Sequence, residues 1–453
     1  MEDQSQSSLE TSPEATTAPR KEILAWASYD IANSTYATVV ATAVYNAYFA
    51  NVIAGPSSGL PKGTGTLLLT AIICVSSILI VLTAPIIGTI SDATASKKKL
   101  LFYSTFICII ATGFLSIFGP GEVIPAMVTL TLSNTAFGTG EDLIAAFLPE
   151  LASVEDMGRI SSIGWAAGYV GGLLSLGACL AYVSWALHQH QNATEYVPVV
   201  MLYCAILFGL TVLPTFVFLK ERAVPDPNAL GKNPIVTGFA RLKTTVTHAR
   251  HYRDLFRFLI TLFLYSCGTT TIVHLASVYA QEVVKFTTQD SIVMILVVNV
   301  TAAIGASIFG FVQDRIGSVR TLMITLSIWT VSIFVAAFAQ NKAQLWIAAN
   351  LVGIAMGSTG SVGRALVGQF APKGRSGEFL GLWGVAVKLA TAVGAMTFGA
   401  VAYLTNNNYR VAILFTVVFF AAGFAMLCKV NEERGKLAAR TDISDPLTVK
   451  ENI

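Results

Sequence analysis

Charged side chains inside long apolar segments are the residues of this sequence best suited to chemistry. The acids are Asp30, Glu141 and Asp142, and the bases are Arg364 and Lys388. An ionised group that faces lipid is costly, so each is expected to face a protein interior or a water-filled cavity. Groups of this kind bind charged solutes, carry protons or form ion pairs. The segments around them must therefore enclose a shared polar space.

The acids lie on polar helical faces. At about 100° per residue, Asp30 shares a face with Asn33 and Tyr36, and Glu141 shares one with Asn134. Adjacent helix positions differ by the same angle, so at most one of Glu141 and Asp142 can face a cavity, and Glu141 is the favoured candidate. Burial beside another carboxylate favours a protonated acid, which suits proton coupling. We predict solute binding or coupling here, with a structural hydrogen-bond network as the alternative.

The second half of the chain supplies the opposite charge. Lys388 lies about a dozen residues into its segment, too deep to reach the membrane interface. Acids in one half and bases in the other suit a zwitterion, with its ammonium towards Asp30 or Glu141 and its carboxylate towards Lys388. An ion-pair gate without solute contact fits equally well. His274 is interpreted as a satisfied core histidine rather than a proton relay.

Composition indicates a protein that crosses the membrane many times. Hydrophobic residues make up 54% and charged residues 12%, and the mean hydropathy is +0.65. The charged share is about half that of a soluble domain. Twelve segments are long enough to cross a bilayer. They lie near 24–50, 66–90, 100–119, 123–148, 160–187, 197–219, 255–281, 290–312, 320–339, 343–368, 377–404 and 410–429.

Basic residues set the orientation and the domain plan. They concentrate in the even-numbered loops, which places both termini in the cytoplasm and leaves the net charge of +3 without need of a nucleic-acid partner. We predict a disordered tail (1–22), two six-helix bundles (23–219 and 255–430), a cytoplasmic linker (220–254) and a second tail (431–453). The later part of the linker is interpreted as a tether, with a short amphipathic surface helix as the alternative.

Two signals recur in both halves. Gly88-x-x-x-Asp92 follows the second segment, and Gly310-x-x-x-Asp314-Arg315-x-Gly317 follows the eighth. Residues 158–165 and 377–383 are also alike, and they open the fifth and eleventh segments. Two related six-helix halves are the architecture of a secondary transporter whose site lies between them.

The motifs resemble a known family. The pattern after the eighth segment is similar to the signature loop of the major facilitator superfamily, whose twelve-helix frame matches residues 22–430. Three blocks, Trp-Ala-Ser-Tyr-Asp-Ile-Ala-Asn-Ser-Thr-Tyr (26–36), Ala-Phe-Leu-Pro-Glu (146–150) and Gly-Trp-Ala-Ala-Gly-Tyr-Val-Gly-Gly (164–172), resemble its vacuole-effluxer branch. That branch groups autophagy-related vacuolar amino-acid effluxers with bacterial permeases. Ala93 stands where the superfamily has a basic residue, so the contact made by that residue is not carried over.

The resemblance implies an all-α membrane protein of two pseudo-symmetric six-helix bundles. It also implies that Asp92, Asp314 and Arg315 latch the cytoplasmic side shut in the outward-open state, although such carboxylates can simply cap a loop. Arg364, with Glu150 as one candidate partner, completes the residues predicted to gate.

The predicted function is secondary active transport by alternating access. The solute is expected to be small and zwitterionic or polar, such as an amino acid, and to be moved or exported with protons. We expect a monomer in a bacterial cell membrane, with a vacuolar or lysosomal membrane as the alternative. The sequence has no phosphate-loop, zinc-protease or nucleophile-elbow motif and no metal-ligand spacing of cysteines, so neither an enzyme, a cofactor nor a metal is predicted. A lipid flippase or a non-transporting sensor on the same fold is the other possibility.

Overall fold

Helices dominate because lipid offers backbone groups no hydrogen-bond partners, so each spanning segment must satisfy its own. The computed structural model describes residues 18–151, 157–222, 225, 233–371 and 376–440, and regular secondary structure in these ranges is helical throughout. We number the spans 1 to 12 in chain order. They are 20–53, Thr64–Thr94, Lys97–Phe114, Val123–Ala145, Met157–His188, Ala193–Phe218, Arg253–Val284, Thr288–Ile316, Ser318–Phe338, Lys342–Phe370, Ser376–Leu404 and Tyr409–Leu427.

Ten helices in the described ranges are long and apolar enough to cross a membrane. The other two predicted spans, 1 and 4, are helical as well, and they carry the acids Asp30, Glu141 and Asp142. The observed ends differ from the predicted ones by a few residues. Most helices run further than predicted because they continue into polar residues that the apolar pattern does not include.

The two halves repeat one packing scheme. In the first, span 1 packs against spans 5 and 6, span 4 against spans 2 and 3, and span 3 against span 6. In the second, span 7 packs against spans 11 and 12, span 10 against spans 8 and 9, and span 9 against span 12. Between the halves, span 2 lies along span 11 and span 5 along span 8. The result is two pseudo-symmetric six-helix bundles joined along two seams.

Residues 20–53 form an irregular rod. The α-helix Arg20–Thr35 continues as the π-helix Tyr36–Ala43, and a second π-helical segment, Phe49–Ile53, ends the span. The side chains of Thr42 and Asn46 donate hydrogen bonds to carbonyls five residues earlier, at 2.7 and 2.6 Å. Such side-chain bonds satisfy carbonyls that a regular helix would pair internally. The sequence analysis predicted the span but not this change of helix type.

The face on which residue 20 and the linker lie is called the terminal face, and the opposite one the distal face. On the terminal face of the first bundle, Glu22 accepts hydrogen bonds from the Arg222 guanidinium (Nη1, 2.6 Å) and from the backbone N–H of Lys220 (2.9 Å). Glu221 accepts from the backbone N–H of Lys97, the first residue of span 3. This terminal clamp ties the start of spans 1 and 3 to the end of span 6.

The second bundle has the same clamp at the equivalent place. Asp254 accepts from the Arg434 guanidinium (Nη2, 2.7 Å) and from the backbone N–H of Asn431 (3.0 Å). Glu432 accepts from the backbone N–H of Val319, at the start of span 9 (2.9 Å). A carboxylate at a helix N-terminus is stabilising because it faces unpaired N–H groups and the positive end of the helix dipole. The sequence analysis missed this third repeat.

Two further helices cover the terminal face. The linker helix, Pro234–His251, packs against spans 2 and 11, and a side chain at Gly238 would clash with the Pro85 carbonyl. The later part of the linker is therefore helical. A helix here was the alternative to the tether expected from the sequence. The C-terminal helix, Glu432–Arg440, packs on spans 7 and 10.

We predict that Glu432→Gln destabilises the protein at neutral pH by about 1 kcal/mol, because the helix start loses its charge. Burial opposes ionisation, but hydrogen bonds from Lys436 and from the N–H groups of Val319 and Ser318 hold the pKa of Glu432 below its usual 4.5. The folded state thus favours the carboxylate. Its stabilisation is complete above pH 4.5 and is lost as the pH falls through the lowered value.

Melting temperatures of the wild type and the variant between pH 3 and 8 test this prediction. The difference between the two should shrink as the medium is acidified. Glu433→Gln is the matched control, since Glu433 is exposed. Equal melting of all three proteins at pH 7 would contradict the assigned role.

Candidate functional site

Titratable side chains from five spans and both bundles meet on the terminal-face side of the molecular centre. Each lies close enough to others of the group for their charges to interact. They are Asp30 (span 1), Glu141 and Asp142 (span 4), His274 (span 7), Arg364 (span 10) and Lys388 (span 11). The predicted meeting of acids from one half with bases from the other is present in the structure.

Glu141 and Lys388 form an ion pair between the bundles. Lys388 Nζ lies 2.8 Å from Glu141 Oε2, and the two side chains are 22% and 48% exposed. Lys388 passes close to Gly138, where a Cβ would lie 3.5 Å from its Nζ and would clash with Ile80. The glycine in span 4 therefore makes room for Ile80 of span 2, and the lysine of span 11 lies in ordinary contact beside it. Because both side chains remain partly exposed, solvent reaches the pair.

Asp30 lies against span 5 rather than opposite Glu141. A Cβ on Gly164 would clash with Asp30 Oδ2, and one on Gly168 would lie 3.5 Å from Asp30 Cβ. Glycines at this spacing let two membrane helices approach closely. Asp30 still interacts electrostatically with Glu141 and Arg364. It forms no hydrogen bond or ion pair with any residue in the described ranges.

Tyr36 and Asn134 contact each other inside the first bundle. The Tyr36 hydroxyl donates to Asn134 Oδ1 (2.8 Å) and lies within hydrogen-bond distance of the Ser133 hydroxyl (2.9 Å), and its ring stacks on Phe137 with centroids 4.4 Å apart. Tyr36 is 1% exposed. This is the structural network left open as the alternative, and a role for either residue in solute binding stays a prediction. Asn33 is also buried, and its Oδ1 has no partner among the described residues.

Glu150 contacts one residue of its own half and one residue at the start of the linker. It pairs with Lys97 Nζ (2.7 Å) and accepts a hydrogen bond from the backbone N–H of Arg222 (2.7 Å). Its carboxylate thus extends the first terminal clamp. The structure does not place it with Arg364, the pairing considered from the sequence. A gating role for Glu150 stays a prediction.

The predicted latch is only partly covered by the structure. Asp314 and Arg315 are exposed at the terminal-face end of span 8. The side chain of Asp92 lies outside the described part of the chain. The latch therefore stays a prediction.

Arg364 contacts two tryptophans from different bundles. Its guanidinium carbon lies 4.8 Å from the ring centroid of Trp165, in span 5, and 5.1 Å from that of Trp383, in span 11. Cations are attracted to the faces of indole rings. Arg364 therefore links the bundles through aromatic rings, and no carboxylate of the described residues contacts it. Sequence analysis named Arg364 but did not predict these partners.

The distal half of span 1, around the π-helix Tyr36–Ala43, binds span 7 through backbone carbonyls. Asn46 donates to the carbonyl of His274 (3.2 Å), and Ser277 donates to the carbonyl of Thr42 (2.7 Å). Nearer the distal face, Asn51 donates to Gln281 Oε1 (2.9 Å). The ring of His274 interacts with the backbone of Ala41, and its buried Nδ1 has no partner among the described residues. The satisfied core histidine expected from the sequence stays a prediction.

Further hydrogen bonds close the distal ends of the bundles. The hydroxyls of Thr66 and Tyr409 lie 2.7 Å apart, and Asn407 donates to the carbonyl of Lys62 (2.8 Å). Tyr196 donates to Thr288 across the other seam (3.0 Å). We refer to these contacts and those of the span 1 π-helix together as the distal closure.

Two bundles of this packing scheme around a central charged site define a transporter of the major facilitator type. Solved structures of the same fold include a D-xylose–proton symporter (TM-score 0.68, 16% identity, 92% of this chain and 99% of that one). Another is a peptide transporter in complex with sulfate (TM-score 0.65, 15% identity, 94% and 98%). The profile described as "Vacuole effluxer Atg22 like" matches residues 64–440, and the chain belongs to this family.

Curated relatives extend over most of the chain. An uncharacterised MFS-type transporter of Bacillus subtilis, YxiO, is 26% identical over 430 residues, which are 94% of this chain and 97% of that one. Autophagy-related protein 22 of Kluyveromyces lactis is 23% identical over 394 residues, 80% of this chain and 78% of that one. The resemblance stated from three short blocks is thereby confirmed, and the protein is a multi-pass membrane transporter.

We predict that Glu141→Gln and Lys388→Met each lower the free energy of unfolding by about 1–2 kcal/mol, since each leaves one charge without its partner. The loss should be below that of a fully buried pair because Glu141 is 48% exposed. The double variant should recover at least half of the summed loss. Denaturation of all four proteins in detergent measures the coupling, and additive losses would mean that the pair is not formed.

We predict that Asn46→Ala with Ser277→Ala opens the distal face. Removing two hydrogen bonds between spans 1 and 7 should favour the state in which the distal ends separate. A cysteine introduced at Gln281 should then react several-fold faster with a membrane-impermeant maleimide. Ser327→Ala is the control, since that hydroxyl bonds within its own helix. An unchanged labelling rate would contradict the closure assigned to these residues.

Proposed function

We propose that this protein is a secondary active transporter that couples proton movement to the transport of a small zwitterionic or polar solute, such as an amino acid, by alternating access. The observation that carries the proposal is the solvent-accessible Glu141–Lys388 pair between the two bundles. An ion pair that joins two bundles must form or break when they move relative to each other. Its energy therefore depends on the conformational state.

Protonation is a direct way to break this pair. A proton on Glu141 removes the negative charge that holds Lys388, and the ammonium is then free to take another partner. Asp30 lies in the same electrostatic network and is a second proton acceptor. Proton uptake and release on opposite sides of the membrane would thus bias the bundles between two states.

A solute with both charges matches the site. Acids and bases from opposite bundles can each bind one end of a zwitterion, and a closed state would then bring the two ends of the site together. The name of the family, vacuole effluxer, supports export as the direction. The packed seams favour a solute over a lipid, because span 2 lies along span 11 and span 5 along span 8. We therefore place the flippase and the sensor second, and an enzyme after both.

The terminal face is proposed to be cytoplasmic, since the basic loops lie there. The long match to a Bacillus subtilis transporter favours a bacterial cell membrane, and the fungal relatives keep a vacuolar membrane as the alternative. The protein is proposed to work as a monomer, because the site is assembled from the two bundles of one chain. The linker between the bundles is proposed to begin after residue 219 and to end at residue 254.

Flux in proteoliposomes tests the proposal. The twenty amino acids are tested in turn. For an amino acid that is a substrate, an imposed pH gradient should drive its accumulation by the wild type. Asp30→Asn and Lys388→Met should each reduce the initial rate by more than about 10-fold, because proton binding or charge pairing is lost. Asp290→Asn is the matched control, since Asp290 pairs with Lys342 away from the site, in a partly exposed ion pair.

The control variant should transport at the wild-type rate. Full gradient-driven flux in both site variants would remove these charges from the mechanism. Flux that ignores the pH gradient would contradict proton coupling alone.

A further inference from the structure

Arg364 carries hydrogen-bond donors that the protein leaves unused. Its guanidinium contacts the rings of Trp165 and Trp383, but it forms no ion pair or hydrogen bond with any residue in the described ranges. Aromatic rings attract the cation through its charge and leave N–H groups available. An arginine in this situation presents a rigid fork that matches a carboxylate.

Trp383 supplies a second unused donor beside the first. Its indole Nε1 is buried and has no acceptor among the described residues. A buried donor without an acceptor costs about 1–3 kcal/mol. The cost is removed when a ligand provides the acceptor. Both free donors, at Arg364 and at Trp383, call for the same kind of group, which is an anionic oxygen.

Lys388 is less suited to this task than the sequence suggested. Its ammonium is already bound to Glu141 at 2.8 Å. A solute carboxylate at Lys388 would have to displace Glu141, whereas one at Arg364 would displace no hydrogen-bond or ion-pair partner among the described residues. Arg364 is therefore better placed to bind the carboxylate than Lys388, the residue expected to bind it from the sequence.

An acid lies near the arginine to complete the site. The Asp30 carboxylate is against Gly164, the residue before Trp165, whose ring contacts Arg364. Arg364 interacts electrostatically with Glu141, Tyr169 and Asp30, and of the two acids only Asp30 has no ion-pair partner among the described residues. An unpaired carboxylate and an unpaired guanidinium thus lie beside neighbouring residues of span 5, where one small molecule could meet both of them.

We propose that Arg364 and Trp383 bind the carboxylate of the solute while Asp30 receives its ammonium group. The Glu141–Lys388 pair is then left to link proton binding to bundle movement. The proposal rests on the proposed transport of a zwitterion and adds the requirement that the solute carry a free carboxylate. Trp165 and Trp383 come from different bundles, so binding there involves both of them.

Thermal stabilisation of the purified full-length protein tests this assignment, because a ligand that binds only the native state raises its melting temperature. The probes are the twenty L-amino acids and, for each one that stabilises, its carboxamide. The carboxamide keeps the ammonium and the side chain. We expect it to bind the wild type at least about 10-fold more weakly than the acid, since it offers no anionic oxygen.

The ratio of acid to carboxamide affinity is the readout that a purely structural role would not change. Arg364→Lys should reduce the ratio about 10-fold, and Trp383→Phe, which keeps an aromatic face but loses the N–H, several-fold. Arg410→Lys is the control, since Arg410 donates to the carbonyl of Ala337 near the distal face. A wild-type ratio in Arg364→Lys, or a ratio lost only in Lys388→Met, would overturn the assignment.

Failure of the broader proposal gives a different result. If no amino acid stabilises the wild type, the zwitterionic solute class is contradicted, and hexanoate and benzoate are then compared with their amides. Stabilisation by these acids that Arg364→Lys abolishes would still support a carboxylate site. No stabilisation by any carboxylate would overturn it.

Discussion

A charge at membrane depth persists only where protein or water surrounds it, and the arrangement of this molecule follows from that constraint. Glu141 and Lys388 meet this condition by pairing with each other across the bundles, while Asp30 and Arg364 meet it by lying beside glycine and tryptophan. To give these charges polar surroundings, the two bundles must face each other without filling the space between them. The need to surround charges with protein or water thus accounts both for the charged site and for the division of the fold into two bundles.

Small residues and irregular backbone give the bundles their fit around that space. Gly138 admits Ile80, and Gly164 admits Asp30, because a Cβ at either position would clash with that side chain. The π-helix of span 1 lets side chains of that span satisfy its own carbonyls and bind span 7. Positions that look weak by helix propensity therefore determine how closely the helices approach.

The sequence predicted the span positions, the two halves and the charged residues that meet, because hydropathy and buried charge are local signals. It did not predict which partners the charges take. Whether Arg364 meets Glu150 or two tryptophans depends on helix rotation, which periodicity leaves undetermined. The clamp at Glu22 and Arg222 and its copy at Asp254 and Arg434 were missed because each joins residues about 180 or more positions apart. A comparison of the polar residues that follow spans 6 and 12 would have found them.

The distal closure consists of amides, hydroxyls and backbone carbonyls, and none of the described residues that form it contributes an ionised side chain. Neutral hydrogen bonds are little affected by salt, and these groups do not titrate between about pH 4 and 8. The hydrogen bonds on that side therefore do not change with the pH of the medium that they face.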